Sequence, residues 1–176
     1  LGEPEAVEVH HQLEVALEVA GGPEDDGICA VQNERSPRFR VDDDVVARCA
    51  ERGIAYLPWS PLGGATQAHE VGSRHAAFAA LAEAHGVSPQ QVALAWQLAL
   101  GEQVIPIPGS TRPATARSSA AAAELVLSPD EVAELSAGTH MHEGVWSVKL
   151  GLGGQPALAE ELMVMRDLAL ARLTGV

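Results

Sequence analysis

The sequence predicts an α/β fold in which helices cover a sheet of parallel strands. Three short apolar segments carry this prediction, because each is followed by a helical pattern: Ile28 to Val31, Ile54 to Leu57 and Val104 to Ile107. Strands that alternate with helices along a chain usually form a parallel sheet. At 176 residues, the chain is long enough to bury one core.

Helices are expected before and between these strands. The segment from Glu5 to Ala20 has a broad apolar face and stops at a Gly-Gly-Pro sequence, which ends helices. A second helix is predicted from the acidic run Asp42 to Asp44, since negative charge is favourable at the positive end of a helix. It is expected to end at Gly53, a residue that suits the turn after a helix.

Later helices are predicted from their caps. Capping boxes occur at 88–91 (Ser-Pro-Gln-Gln) and 128–131 (Ser-Pro-Asp-Glu), so a helix should begin at each. An Ala-rich helix is expected after Pro113. Residues 1–137 are interpreted as the α/β part, and residues 138–176 as a separate tail. In that tail we expect a Gly-rich loop over 138–156, then an amphipathic helix over 157–173.

Composition excludes several classes of partner. The chain has 24 acidic against 11 basic residues, a formal net charge of −13, so neither nucleic acid nor an anionic membrane surface is an expected partner. No apolar run is long enough to span a membrane, and no signal-peptide pattern is present at the N-terminus. Cys29 and Cys49 form no C-x-x-C motif, which favours reduced thiols and a cytoplasmic location.

Histidine pairs raise the question of a metal site. They occur at 10–11 and at 140 and 142, and neither pair has a third ligand at a recognisable spacing. We therefore expect no metal site.

The segment after Ile107 is a candidate phosphate site. Gly109, Ser110 and Thr111 lead into a helix, whose first N–H groups attract anions. Arg112 and Arg117 add positive charge to an acidic protein. The alternative is a tight strand-to-helix turn with two solvated arginines, which the pattern alone favours because such turns are common.

Two other strand ends offer candidate ligand contacts. Trp59, next to Ser60, could stack on a heterocycle, although a tryptophan in the core is the more common arrangement. The run of residues 32–34 (Gln-Asn-Glu) could hydrogen-bond an amide ligand or could simply form a turn.

Five segments, in this order and spacing, resemble consecutive parts of the aldo-keto reductases. They extend over roughly Leu13 to Leu135 and resemble only the later part of that family's chain. The segments are 31–37 (VQNERSP), 53–64 (GIAYLPWSPLGG), 86–96 (GVSPQQVALAW), 104–110 (VIPIPGS) and 127–131 (LSPDE).

The resemblance implies the later strands and helices of a (β/α)8 TIM barrel, with NADP(H) bound at the C-terminal face. It implies that Gln32 contacts the nicotinamide carboxamide and that Trp59 stacks on the nicotinamide ring. It assigns the pyrophosphate path to Ser60, Leu62 and Gly64. It assigns the loop that receives the adenosine 2′-phosphate to Gly109, Ser110 and Arg112, which reverses the preference for a plain turn.

The sequence departs from the family pattern in the loop that would bind adenine. Where the family usually carries an acid or amide followed by Asn, this chain has Ser118 and Ser119. A position that often holds a basic residue is Thr115. The grip on adenine and the preference for NADP over NAD are therefore left open.

The family's catalytic Asp, Tyr, Lys and His belong to early strands that this sequence does not contain. Its single tyrosine, Tyr56, and single lysine, Lys149, match none of them, so no catalytic residue is assigned. The first hypothesis is a truncated NADP(H)-dependent oxidoreductase for small aldehydes or ketones, which self-associates or pairs with a missing N-terminal half. The alternatives are a non-catalytic nucleotide- or partner-binding module and a pseudogene product without a stable fold.

Overall fold

The computed structural model describes residues 4–40, 42–137 and 149–152. They fall into two compact units: residues 4–33, 42–57 and 149–152 belong to the first, and residues 34–40 and 58–137 to the second. The described helices are α1 (Pro4–Ala20), α2 (Asp43–Arg52), α3 (Val71–Arg74), α4 (Ala76–His85), α5 (Pro89–Leu98), α6 (Pro113–Ala121) and α7 (Pro129–Ser136). The strands are β1 (Ile28–Gln32), β2 (Ala55–Tyr56) and β3 (Lys149–Leu152).

The first unit is a three-stranded sheet with two helices. β1 lies in the middle, parallel to β2 with Ala30 opposite Ala55 and antiparallel to β3 with Val31 opposite Leu150. The parallel pair confirms the prediction from the alternation of strands and helices. Helices α1 and α2 contact each other and the sheet. Their buried apolar side chains form the core with those of the strands: Leu13, Leu17, Ile28, Val31, Val45, Val46, Cys49, Ile54 and Tyr56.

The second unit is helical and is built around a tryptophan. Trp96 of α5 is fully buried, and Phe78 of α4 meets it edge to face with ring centres 5.7 Å apart. Leu135 of α7 belongs to the same apolar cluster. Both predicted capping boxes are confirmed: Ser88 and Ser128 each accept a hydrogen bond from the N–H three residues ahead, and that residue's side chain accepts one in return.

The predicted strand from Val104 to Ile107 is wrong. Only Val104 has bridge geometry, and the residues after it form no strand. Pro106 and Pro108 explain this, because proline has no N–H and cannot donate to a ladder of strand hydrogen bonds. Ile105 and Ile107 are exposed, at 52% and 39% of their surface.

The predicted loop over 138–156 is wrong at residues 149–152, which form β3. The predicted helix over 157–173 lies outside the described residues. In the part of the chain that the structure describes, no helix is both long and apolar enough to cross a membrane.

Candidate functional site

Three segments of the second unit lie side by side at the candidate site. Glu34 forms a parallel bridge with Trp59, and the Arg35 N–H donates to the Trp59 carbonyl at 3.3 Å. On the other side, the Ile107 N–H donates to the Pro58 carbonyl at 3.0 Å. The structure therefore brings the loop that follows Pro58 next to the segment that leads to Gly109.

The loop from Pro58 to Gly64 has an unusual backbone. Ser60 has a φ of +47°, a left-handed conformation that is uncommon outside glycine, and Gly64 has a φ of +89°. The Gly63 N–H donates to the Ser60 carbonyl at 2.8 Å and closes a tight turn. Leu62 packs against the apolar cluster around Trp96. The three residues expected along a pyrophosphate thus belong to one tightly turned loop.

Trp59 has an indole N–H that the described residues do not satisfy. The ring is half-buried, and its Nε1 is buried without a hydrogen-bond partner among the described residues. Buried tryptophan N–H groups usually have a partner. This side chain therefore retains an unused donor beside the turned loop.

The second loop, 108–112, is open to solvent. Gly109, Ser110 and Arg112 are exposed, and a Cβ added at Gly109 would meet no atom within 4 Å. The Ser110 hydroxyl donates to the Arg112 carbonyl at 3.0 Å. Arg112 is the residue before α6 and its side chain does not cap the helix. The guanidinium and the positive end of α6 are therefore available to an anion.

Gln32 belongs to the first unit, whereas the other seven predicted site residues belong to the second. It is half-buried at the end of β1. Its neighbour Asn33 is buried, and the Asn33 amide donates to the Asp42 carboxylate at 3.4 Å. Glu34 is half-buried, and its pKa is raised by desolvation, which Arg38 partly opposes.

Two ionisable side chains of the first unit, those of Tyr56 and Cys49, are buried near Asp42. The Tyr56 hydroxyl is buried and donates to the Asp42 carboxylate. Burial, together with Asp42, raises the pKa of the Cys49 thiol to about 12, so this cysteine stays protonated. Over the described residues, no three His, Cys, Asp or Glu side chains are grouped to hold a metal ion. The side chains of His10, His140 and His142 lie outside the described residues.

The sequence interpretation missed two glutamines of α5, one of which contacts the turned loop and the other the segment just after it. The Gln97 amide donates to the Pro61 carbonyl and the Gln90 amide to the Ala68 carbonyl, each at 2.8 Å. The available signal was Gln97 itself, a polar residue inside the apolar run Val92 to Leu98. A polar side chain at a core position usually has a hydrogen bond to make.

The family model of the aldo/keto reductases matches residues 12–138. The chain belongs to the aldo/keto reductase family. Its fold is accordingly the later part of the family's TIM barrel. The five segments singled out from the sequence all lie within the matched residues.

Individual aldo/keto reductases match over a limited length. Pyridoxine 4-dehydrogenase of Escherichia coli K12 is 37% identical over 108 residues, which are 61% of this chain and 36% of that enzyme. The crystal structure of a Klebsiella pneumoniae aldo-keto reductase in complex with NADPH is 25% identical with a TM-score of 0.53, over 60% of this chain and 37% of that one. The chain thus spans little more than a third of the length of these relatives.

A short stretch resembles an enzyme with a different name. A dihydroorotase of Solibacter usitatus is 63% identical over 41 residues, which are 23% of this chain and 10% of that protein. One tenth of an enzyme is too short to carry its activity into this chain.

Proposed function

We propose that this chain supplies the NADP(H)-binding part of an aldo/keto reductase that reduces small aldehydes or ketones to alcohols. One observation carries the proposal: the Ile107 N–H donates to the Pro58 carbonyl, so the turned loop and the open loop start from paired residues. The turned loop would lie along the diphosphate. The guanidinium of Arg112 and the N–H groups at the start of α6 would meet the added phosphate.

Different residues of this chain would bind different parts of the cofactor. Ser60, Leu62 and Gly64 would follow the pyrophosphate, and the open space at Gly109 leaves room for a phosphate close to the backbone. Ser110 and Arg112 would hold the 2′-phosphate. Trp59 would cover the nicotinamide ring and Gln32 would bind the carboxamide. Bound NADPH supplies a hydride.

Carbonyl reduction also requires a proton donor at the carbonyl oxygen. We propose that this chain does not provide one. Its single tyrosine, Tyr56, is fully buried and its hydroxyl is bonded to Asp42. We propose that another polypeptide segment contributes the acid. That segment would pair with this chain.

A direct binding measurement tests the proposal. The full chain is titrated with NADPH, with NADH in parallel, while the fluorescence of the reduced nicotinamide is followed. We expect saturable binding of NADPH and weaker binding of NADH. No binding of either dinucleotide, by a chain that unfolds cooperatively, would refute the proposal.

The alternative is a module of the same fold that binds a nucleotide without chemistry. Such a module could also hold a partner. Ser118 and Ser119 stand where the family usually grips adenine, and this departure favours a chain that has kept the fold without the enzyme's full set of cofactor contacts. Adding the N-terminal half of a family member to the binding assay separates the two hypotheses. Turnover of an aldehyde in the mixture supports the split enzyme, whereas NADPH binding without turnover supports the module.

A further inference from the structure

Helix α5 is hydrogen-bonded both to the turned loop and to the segment that follows it. The Gln97 amide donates to the Pro61 carbonyl, next to Ser60, and the Gln90 amide donates to the Ala68 carbonyl. Gln90 and Gln97 are seven residues apart on α5, about two turns, so their side chains leave the same face of the helix. One face of α5 therefore holds both ends of the segment from Pro61 to Ala68.

Burying the polar side chain of Gln97 at its position costs free energy of folding. It is fully buried beside the apolar side chains of Val92 and Trp96, and its Oε1 has no partner among the described residues. Its Nε2 makes one further contact, to the Ala93 carbonyl at 3.3 Å. Burying a polar group costs free energy unless it is hydrogen-bonded, so a leucine would suit the core equally well. What a leucine cannot do is donate to the loop.

The loop needs such support. A non-glycine residue with a positive φ, as at Ser60, is strained and persists only where its surroundings hold it. Inside the loop, the N–H groups of Gln67 and Ala68 both donate to the Gly64 carbonyl, at 3.2 and 3.0 Å. The Gln67 side chain accepts from Arg38 at 2.8 Å.

We infer that Gln97 and Gln90 are positioning residues, which hold the segment from Pro61 to Ala68 in the conformation in which it would lie along an anionic diphosphate. This inference rests on the proposed function for the identity of the anion. The clamp itself does not depend on a ligand, since both hydrogen bonds join residues of this chain.

Hydrogen exchange of the full chain tests the clamp without any ligand. In Gln97→Leu we expect the Gly63, Gln67 and Ala68 amides to exchange roughly 3- to 10-fold faster, the equivalent of about one hydrogen bond. Amides of α5 and α7 should keep their wild-type rates, because leucine fills the same space. Unchanged exchange in the loop would overturn the inference. Faster exchange throughout the second unit would overturn it as well.

Three further variants serve as comparisons. Val92→Ala opens a cavity beside α5 but removes no hydrogen bond to the loop, so it should lower the stability of the whole unit without a selective effect on the loop amides. Gln90→Leu should free the Ala68 end. Gln90→Lys keeps an N–H donor at a half-buried site and should restore the protection that Gln90→Leu loses.

Ligand binding then separates the clamp from the proposed function. Gln97→Leu should weaken NADPH by about fivefold but leave adenosine 2′-monophosphate unchanged, because the latter lacks the diphosphate. Equal weakening of both ligands would contradict a role specific to the loop. If the wild-type chain binds no NADPH, the proposed function fails, and the exchange rates still decide whether the two glutamines hold the loop.

Discussion

The guanidinium of Arg40 lies 4.9 Å from the centre of the Trp96 ring. Arg40 is buried, and its Nε donates to the Pro37 carbonyl at 3.0 Å and its NH1 to the Leu135 carbonyl. The guanidinium of Arg35 lies 5.3 Å from the same ring. A buried cation loses its hydration, and here the carbonyls and the face of the indole replace it.

Replacing Arg40 by lysine should destabilise the chain by about 1–3 kcal/mol. Lysine keeps the charge, but it lacks the planar guanidinium that donates to two carbonyls and lies over the ring at the same time. Urea unfolding, followed by tryptophan fluorescence, measures the loss. Arg52→Lys is the matched control, because its ion pair with Glu24 lies at the surface and its loss should change stability by less than about 0.5 kcal/mol. Equal effects of the two substitutions would contradict the prediction.

The substitution Arg112→Ala should weaken NADPH much more than NADH. A charge-assisted contact to the 2′-phosphate is worth about 1.5–3 kcal/mol, or roughly 10- to 150-fold in affinity. Calorimetric titration with both cofactors gives the ratio. Arg117→Ala, further along α6, is the control and should have the smaller effect. An equal loss for both cofactors would mean that Arg112 only supports the loop.

The chain by itself should not reduce carbonyl compounds. Its single tyrosine is buried and its hydroxyl is bonded to Asp42, so this hydroxyl is not placed to donate a proton to a substrate. NADPH oxidation with a panel of aldehydes is the assay, with buffer as the blank. Turnover that survives repurification would show that another residue provides the proton.

Breaking β3 should make the chain self-associate. β3 covers one edge of β1 and β2 covers the other, so losing β3 exposes a row of unpaired backbone groups. Alternate residues of an antiparallel strand donate to the partner, so one of Leu150→Pro and Gly151→Pro should remove a ladder bond. Sedimentation should then show larger species, whereas Leu150→Val should leave the wild-type distribution. Unchanged sedimentation of both proline variants would show that β3 does not protect this edge.

Glu131 should make stability depend on pH in the acid range. Hydrogen bonds from the Ser128 N–H, the His85 ring and the Ser128 hydroxyl, in that order, lower its pKa from 4.5 to about 2. The ionised form is thus favoured in the folded state, so its contribution is complete above about pH 4.5 and is lost as the pH falls toward 2.

Urea unfolding between pH 2 and 6 checks this dependence. Glu131→Gln should flatten the change of unfolding free energy with pH in that window. Glu134→Gln, at an exposed position of the same helix, should retain the wild-type slope. The same slope in all three proteins would refute the role of Glu131.

The candidate site depends partly on local patterns and partly on the resemblance. A glycine turn before a helix leaves N–H groups at its end, which indicated a phosphate loop. The resemblance assigned Gly109, Ser110 and Arg112 to the 2′-phosphate, and this assignment stays a prediction. Gln97 was not found, since its partner Pro61 is 36 residues away in sequence. Nothing near Gln97 indicates whether it meets a carbonyl, a ligand or solvent. A turn can be recognised from adjacent residues in the sequence. A hydrogen bond between a helix and a loop cannot, because it depends on which helix packs behind the loop.

The sequence by itself determined the helix starts at Ser88 and Ser128, the end of α2 at Gly53 and the parallel pairing of β1 with β2. These depend on neighbours within a few residues or on the order of the elements. Only the tertiary structure decided that 149–152 becomes a strand and that Arg35 and Arg40 are buried against one tryptophan. Strand pairing and the burial of a charge are set by partners distant in sequence, because hydrogen-bond ladders and desolvation are properties of the packed chain.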